Sequence, residues 1–309
     1  MSGVNTEVSR RLPLPERYHL SGSLGSLLVP RHDPCGGFVD GGFWLAARTP
    51  DGPATLHLAR AGAELIATGY GPGAAWITDR ADAYAGLRDK LDDFAELAAH
   101  HPLVARLAKT FSGVRMPATG RIFHRLLRAI LEQKVTGKEA HHAYRAIVRH
   151  FGEPAPGPVP LLLPPDPAAV AATPYWTFHP FGVEQRRTQT LLRAAQVADR
   201  LERCADTTEA TRRLTALPGI GVWTAAEVRQ RAHGDADAVS FGDYHVAAQV
   251  GWAVQGSDFD DAELAEFLEP WRPHRNRVVT LLLLTGRSRP RHGARMAPRT
   301  HLPAKVTRR

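Results

Sequence analysis

The sequence predicts an α+β protein, in which a small β-rich N-terminal domain precedes a larger, mainly helical one. Three observations carry that prediction. Between about residues 20 and 78 the apolar residues fall in short runs separated by Gly and Pro; after Asp79 they recur at helical spacing; and seven prolines crowd residues 153–168. With 309 residues the chain is long enough for two domains. Its composition, 43% hydrophobic and 23% charged, is that of a globular protein and excludes a mostly disordered chain.

Residues 1–16 read as a loose, disordered leader and residues 17–84 as the β-rich domain. Within it, Phe38-Val39, a Gly-Gly step and Phe43 to Thr49 lead into the turn Pro50-Asp51-Gly52-Pro53, followed by alternation around Leu56 and Leu58. Pro sets φ at the start of such a turn and Gly supplies positive φ, so a hairpin is expected there. Residues 85–286 read as the helical core. Leu87, Leu91, Phe94, Leu97, Leu103 and Leu107 begin it, and amphipathic segments follow from about Thr119 to Leu131 and from Thr136 to Phe151. The Pro-rich stretch reads as an extended linker. Beyond it, helices are expected near 184–203, 208–216, 222–233, 243–254, 261–269 and 274–285. Residues 287–309 form a basic tail read as disordered.

Composition also bounds the function. No run of about 18 apolar residues occurs, which excludes a transmembrane helix, and residues 1–20 lack the apolar stretch of a secretory signal. A cytoplasmic protein, nucleoid-associated if bacterial, is the expectation. Cys35 and Cys204 are too few for a four-cysteine metal or iron–sulfur site, and no cluster has transition-metal spacing. The net charge is +8, but eight cations and no carboxylate lie in the tail, from Arg287 to Arg309. The remaining chain is close to neutral. Such an arm fits nonspecific phosphate binding and a solubilising end equally well.

The most informative segment is Leu217-Pro218-Gly219-Ile220-Gly221-Val222-Trp223-Thr224. Pro218 ends one helix, the two glycines permit a tight hairpin that another chain can approach, and an Ala-rich helix begins. Amide N–H groups at that helix start lack intrahelical acceptors, and the helix dipole favours an anion there. Ile220 would plug the hairpin into the helical core. An ordinary ligand-free helical hairpin is the competing reading.

That string resembles the signature of the helix-hairpin-helix DNA glycosylase superfamily, specifically the AlkA-type 3-methyladenine branch. The resemblance extends over about residues 115–285. Asp237-Ala238-Val239-Ser240-Phe241-Gly242-Asp243-Tyr244 is similar to the family segment bearing the catalytic aspartate at a helix start, which would be Asp243. Trp271-Arg272-Pro273-His274-Arg275 is similar to the family's Trp-x-Pro-x-Arg lead into the last core helix. Ile130-Leu131-Glu132-Gln133-Lys134 resembles the stretch preceding a DNA-facing loop.

The resemblance implies a monofunctional DNA glycosylase that removes alkylated, 3-methyladenine-like bases from double-stranded DNA, acting as a monomer. A fixed carboxylate can stabilise an oxocarbenium-like sugar and orient water. Taken alone, an aspartate such as Asp243 is more often a helix cap, and the hairpin about 22 residues upstream, at a spacing that resembles the family's, favours the catalytic reading. Bifunctional members carry a lysine two residues after the second hairpin glycine; Trp223 stands there, so no strand nicking is expected. The DNA contacts implied are Leu217, Gly219, Ile220, Gly221, Gln133 and Lys134, the last two at the wedge position. Lys134 departs from the apolar residue usual in this branch.

Trp223, Tyr244 and Trp176 are the expected base-pocket residues, with core packing the alternative for each aromatic. No cofactor is required, although the family's hairpin often takes a monovalent cation on main-chain carbonyls. The alternative function is a noncatalytic helix-hairpin-helix DNA-binding module. A third, a structural or regulatory helical protein, predicts no DNA affinity even at low salt.

Overall fold

A computed structural model describes residues 6–204 and 206–287. Five strands, β1 (Glu7–Pro13), β2 (Gly36–Val39), β3 (Gly42–Thr49), β4 (Gly52–Ala61) and β5 (Glu64–Tyr70), form one antiparallel sheet in the order β1-β5-β4-β3-β2. Residues 7–13, expected to be leader, are therefore an edge strand paired from Glu7↔Tyr70 to Pro13↔Glu64. Only Leu12 of that strand is buried, which leaves too little apolar pattern to read from sequence. The hairpin expected at Pro50-Asp51 is present, with Thr49 paired to Gly52 and Gly52 at φ +115°.

β3 is buried on both faces. Phe43, Leu45 and Ala47 pack with Leu56, Leu65 and Ile77, while Trp44 and Ala46 pack against Leu161 and Leu163 of the Pro-rich segment. That segment is thus no free linker: it covers the outer face of the sheet, and Leu162 N–H donates to Pro34 O at 2.8 Å. Two short helices near the start of the domain and after the strands, α1 (Leu20–Leu24) and α2 (Ala74–Asp79), together with α3 (Ala81–Tyr84), complete this region. The strand texture read from residue 20 onward gives way to helix at α1.

The helices that follow are α4 (Phe94–Ala98), α5 (Pro102–Thr110), α6 (Ile122–Glu132), α7 (Gly137–Phe151), α8 (Pro167–Ala171), α9 (Gln185–Gln196) and α10 (Ala198–Glu202). After them come α11 (Thr207–Thr215), α12 (Val222–Ala232), α13 (Val246–Val254), α14 (Asp261–Leu268) and α15 (Arg275–Leu284). The expected helix at 184–203 is two, broken at Val197. Two apolar clusters hold these helices. One unites α6, α7, α9, α11 and α12 through residues such as Leu126, Ile147, Leu191, Leu214 and Val228; the other unites α4, α5, α13, α14 and α15 through Val104, Val250, Leu264 and Leu282.

At the start of α6 the Ile122 and Phe123 N–H groups donate to Glu202, while α7 begins with a Thr136–Glu139 capping box. The basic tail lies outside the described residues apart from Arg287. Among the described residues no helix is long and apolar enough to cross a membrane.

His124, on α6, is pushed down to about 3 by burial and then by Arg128, Arg125 and Arg121. Its Nε2 lies 2.8 Å from the Tyr144 hydroxyl, which donates to Asp33. Because the folded value lies below the unfolded one near 6.5, the unfolded chain takes the proton first. Stability from this group is full above pH 6.5 and declines as pH falls toward 3. Chemical denaturation should therefore show a loss of about 3 kcal/mol between pH 7 and 4, with His124→Gln flattening the curve. A midpoint in His124→Gln that falls as steeply as in wild type would contradict this assignment.

Candidate active site

The hairpin joins α11 to α12. Leu217 N–H donates to Leu214 O and Ile220 N–H to Leu217 O, so the turn closes on itself. Ile220, only 5% exposed, inserts among Leu214, Leu191 and Ala225 of the first helical cluster, and Leu217 packs half-buried beside it. Gly219 sits at φ +94°, and a Cβ there would lie 2.3 Å from the hydroxyl of buried Thr190. Gly221 has extended φ and open space where a Cβ would stand.

The two glycines therefore do different work, the first serving close packing and backbone conformation, the second an unobstructed outer surface. Gly219→Ala should cost about 2 kcal/mol or more of stability. Gly221→Ala should leave the melting temperature unchanged, because open space stands where its Cβ would be. Equal melting temperatures for the two variants would refute the distinction.

Gln133 follows α6 as its C-terminal cap. Its Nε2 donates to Gly219 O at 3.0 Å and to Thr224 Oγ1 at 2.9 Å, bracing the hairpin from below. Gln133 thus stands against the hairpin at the position expected to meet DNA. Lys134 is exposed and holds a left-handed backbone, φ +53°. Arg193 of α9 adds a contact to Pro218 O at 3.3 Å. The carbonyls suggested for a monovalent cation are engaged, Leu217 O by Ile220 N–H and Gly219 O by Gln133.

Asp243 lies three residues before α13 rather than at its first residue. Its Oδ1 accepts from His245 N–H at 2.8 Å and Val246 N–H at 3.1 Å, a local cap that fixes the carboxylate. Its Oδ2 accepts from the Trp223 indole N–H at 3.0 Å. Trp223 belongs to α12 and packs on the first cluster, whereas α13 belongs to the second. The Trp223–Asp243 bond thus bridges the two helical groups.

Tyr244, 91% exposed, follows the carboxylate with its ring 4.9 Å from that of His245. The upstream aromatic cluster divides. Phe178 and Phe181 are core, whereas Trp176 is 64% exposed and, among the described residues, has its ring contact with Tyr175 alone. Among the described residues no ring contact or hydrogen bond joins Trp176 to Asp243.

The sequence reading missed the charged network behind the site. Glu227 of α12 accepts from Arg125 of α6, from Arg231 at 3.3 Å and from Ser240 Oγ at 2.6 Å. Burial would raise the Glu227 carboxyl, but Arg231, Arg125 and Ser240 outweigh it and hold it down at about 2. Gln230 Nε2 also donates to Ser240 Oγ and to Ala238 O. Further back, Arg275 of the Trp-x-Pro-x-Arg motif grips Asp237 with contacts of 2.8 and 2.6 Å. The segment 237–243 is therefore tied at both Asp237 and Ser240 before it delivers Asp243. The sequence signal was a row of polar residues, Arg121, His124, Arg125 and Arg128, on a helix otherwise apolar.

No family model and no curated protein matches the sequence. Solved structures do match the fold. A 3-methyladenine DNA-glycosylase from Archaeoglobus fulgidus superposes with a TM-score of 0.74 at 18% identity, covering 89% of this chain and 97% of that one. The 8-oxoguanine glycosylase/lyase of Clostridium acetobutylicum, in complex with dsDNA containing cytosine opposite 8-oxoG, gives 0.68 at 12%, covering 92% and 97%. The 3-methyladenine DNA glycosylase of Schizosaccharomyces pombe, in complex with abasic DNA, gives 0.50 at 18%, covering 62% and 94%. The chain has the helix-hairpin-helix DNA glycosylase fold. Its β-rich N-terminal region is included in the match to the Archaeoglobus structure, where most of both chains is covered.

Proposed function

We propose that the protein is a monofunctional DNA glycosylase that hydrolyses the N-glycosidic bond of alkylated, 3-methyladenine-like bases in double-stranded DNA. The observation that carries this reading is the 3.0 Å bond from the Trp223 indole N–H to Asp243 Oδ2, which fixes a carboxylate beside the hairpin helix. The hairpin's outer face, with Gly221 and Val222 exposed, receives a phosphate at the first-turn amides of α12. A nucleotide turned out of the duplex then places its sugar by Asp243, and exposed Tyr244 offers its base a ring face.

As the C1′–N bond breaks, its electron pair leaves with the base and positive charge grows on the sugar. Asp243 stabilises that charge and holds the water that attacks C1′. A base already cationic by alkylation leaves neutral, so no second carboxylate is needed. Trp223, with no amine, cannot form a Schiff base, which supports hydrolysis without strand cleavage. Lys134 takes a phosphate or wedge role at the rim.

The test is release of free base from duplexes carrying 3-methyladenine, 7-methylguanine, hypoxanthine or 8-oxoguanine. Release confined to the alkylated bases, with unbroken abasic strands, is expected. A second reading, a noncatalytic DNA-binding module, is favoured by the two amides that Asp243 caps. It predicts salt-dependent binding of every duplex and no released base.

A further inference from the structure

The segment that delivers Asp243 is tied at Asp237 and Ser240, and a further tie lies closer to the carboxylate. Asp243 N–H donates to Ser240 O at 3.2 Å, which closes a turn over residues 240–243. Gly242, third in that turn, sits at φ +80°, the sign that a type II turn has at this position. Its N–H donates to Asp261 Oδ1 at 3.1 Å, across 19 residues of chain.

Asp261 is the first residue of α14, yet it does not cap that helix. Asp260 does so, its Oδ1 accepting from the Ala262 and Glu263 N–H groups at 2.8 Å each. Among the described residues Asp261 makes no ion pair, and the Gly242 amide is its hydrogen-bond partner. Buried Leu264 and Leu268 seat α14 on the second helical cluster, so this carboxylate projects from a fixed base.

Steric forces leave the turn a choice. Gly242 has open space where a Cβ would stand, and glycine takes either sign of φ at little cost. Turning over the peptide between Phe241 and Gly242 exchanges the type II and type I forms, which reverses the Gly242 N–H and shifts the backbone entering Asp243. Phe241 packs half-buried on the second cluster and anchors the near side of that peptide. On the far side, Asp261 accepts an N–H that only one of the two forms presents.

The geometry points to Asp261 as a positioning residue for Asp243: by accepting the Gly242 N–H it selects the turn form in which the Asp243 carboxylate meets the Trp223 indole. Its part in base release rests on the glycosylase reading above; its part in holding Asp243 does not. A hydrogen bond to a carboxylate biases such a two-form turn about tenfold. Where nothing else prefers either form, about nine-tenths of the molecules hold Asp243 in place, against about half once the acceptor is gone.

The test is the exchange of the Trp223 indole N–H with water in the full chain, read by NMR and assigned with Trp223→Phe. Asp261→Ala should speed that exchange about fivefold, whereas Asp261→Asn, which keeps an acceptor oxygen, should stay near wild type. Melting temperatures should hold in both variants, since the Asp260 cap is intact. Single-turnover release from a methylated duplex should fall about twofold in Asp261→Ala and recover in Asp261→Asn, with affinity for an abasic duplex unchanged. Wild-type indole exchange in Asp261→Ala would overturn the proposal. So would exchange in Asp261→Asn as fast as in Asp261→Ala, which would make the charge and not the acceptor the cause. A wild-type protein that released no base would refute the glycosylase reading and leave the exchange rates to decide the role of Asp261.

Discussion

Asp243→Asn is expected to lower base release by about 10^3-fold or more while DNA affinity and melting temperature stay near wild type. The substitution keeps the shape and removes the charge. An amide oxygen can still accept the His245 and Val246 N–H groups that the carboxylate's Oδ1 accepts now. The other position becomes an NH2 group facing the Trp223 indole N–H, two donors where a donor and an acceptor stood 3.0 Å apart. That local conflict costs about 1–3 kcal/mol at most, because Asp243 is partly exposed and water can reach it.

Catalysis loses much more, since a neutral amide neither stabilises an oxocarbenium-like sugar nor takes a proton from water. The measurements are single-turnover release from a methylated duplex and fluorescence anisotropy on an abasic duplex. Wild-type release by Asp243→Asn would leave the capping role as the residue's whole function. Parallel loss of affinity and release would make it a fold residue rather than a reacting one.

How far the sequence announces this arrangement depends on the kind of contact. The hairpin was legible because its backbone needs particular residues: Gly219 at positive φ against Thr190, Gly221 in the open, and Ile220 as an apolar plug. Asp243 was singled out through a resemblance of spacing, and the structure adds what spacing cannot give, the Trp223 bond. The bracing contacts of Gln133 were not legible, because a polar residue at a helix end carries no mark of whether it faces its own hairpin. Strand β1 was hidden for a similar reason: an edge strand with one buried side chain has almost no pattern. The doubly covered sheet shows the converse, for Trp44 and Ala46 appear in sequence only as an unbroken apolar run, and the segment that covers them begins some 110 residues later.

The buried charges were least legible, because Arg125 and Glu227 are 102 residues apart and each alone resembles a surface residue. Their removal gives the second large expected effect. The side chains of Arg125 and Glu227 are 7% and 14% exposed, so both charges have left water. Deleting one partner strands the rest: Glu227→Leu leaves Arg125 paired with Glu132 alone among the described residues and removes the carboxylate of Arg231, and Ser240 loses its acceptor.

Glu227→Leu should therefore cost about 3–5 kcal/mol of stability, and Arg125→Met a similar amount. Together the two should cost less than either single change, because a paired deletion leaves less unmatched charge. The cycle is measured by urea unfolding near neutral pH, and simple additivity would show that the pair does not act as a unit. A milder change separates stability from positioning. Glu227→Gln keeps an acceptor for Ser240 at the end of the segment that carries Asp243, so it should retain more base release than Glu227→Leu when both are assayed well below their melting temperatures. Equal release from the two would mean that the Glu227–Ser240 contact stabilises the fold without steering the carboxylate.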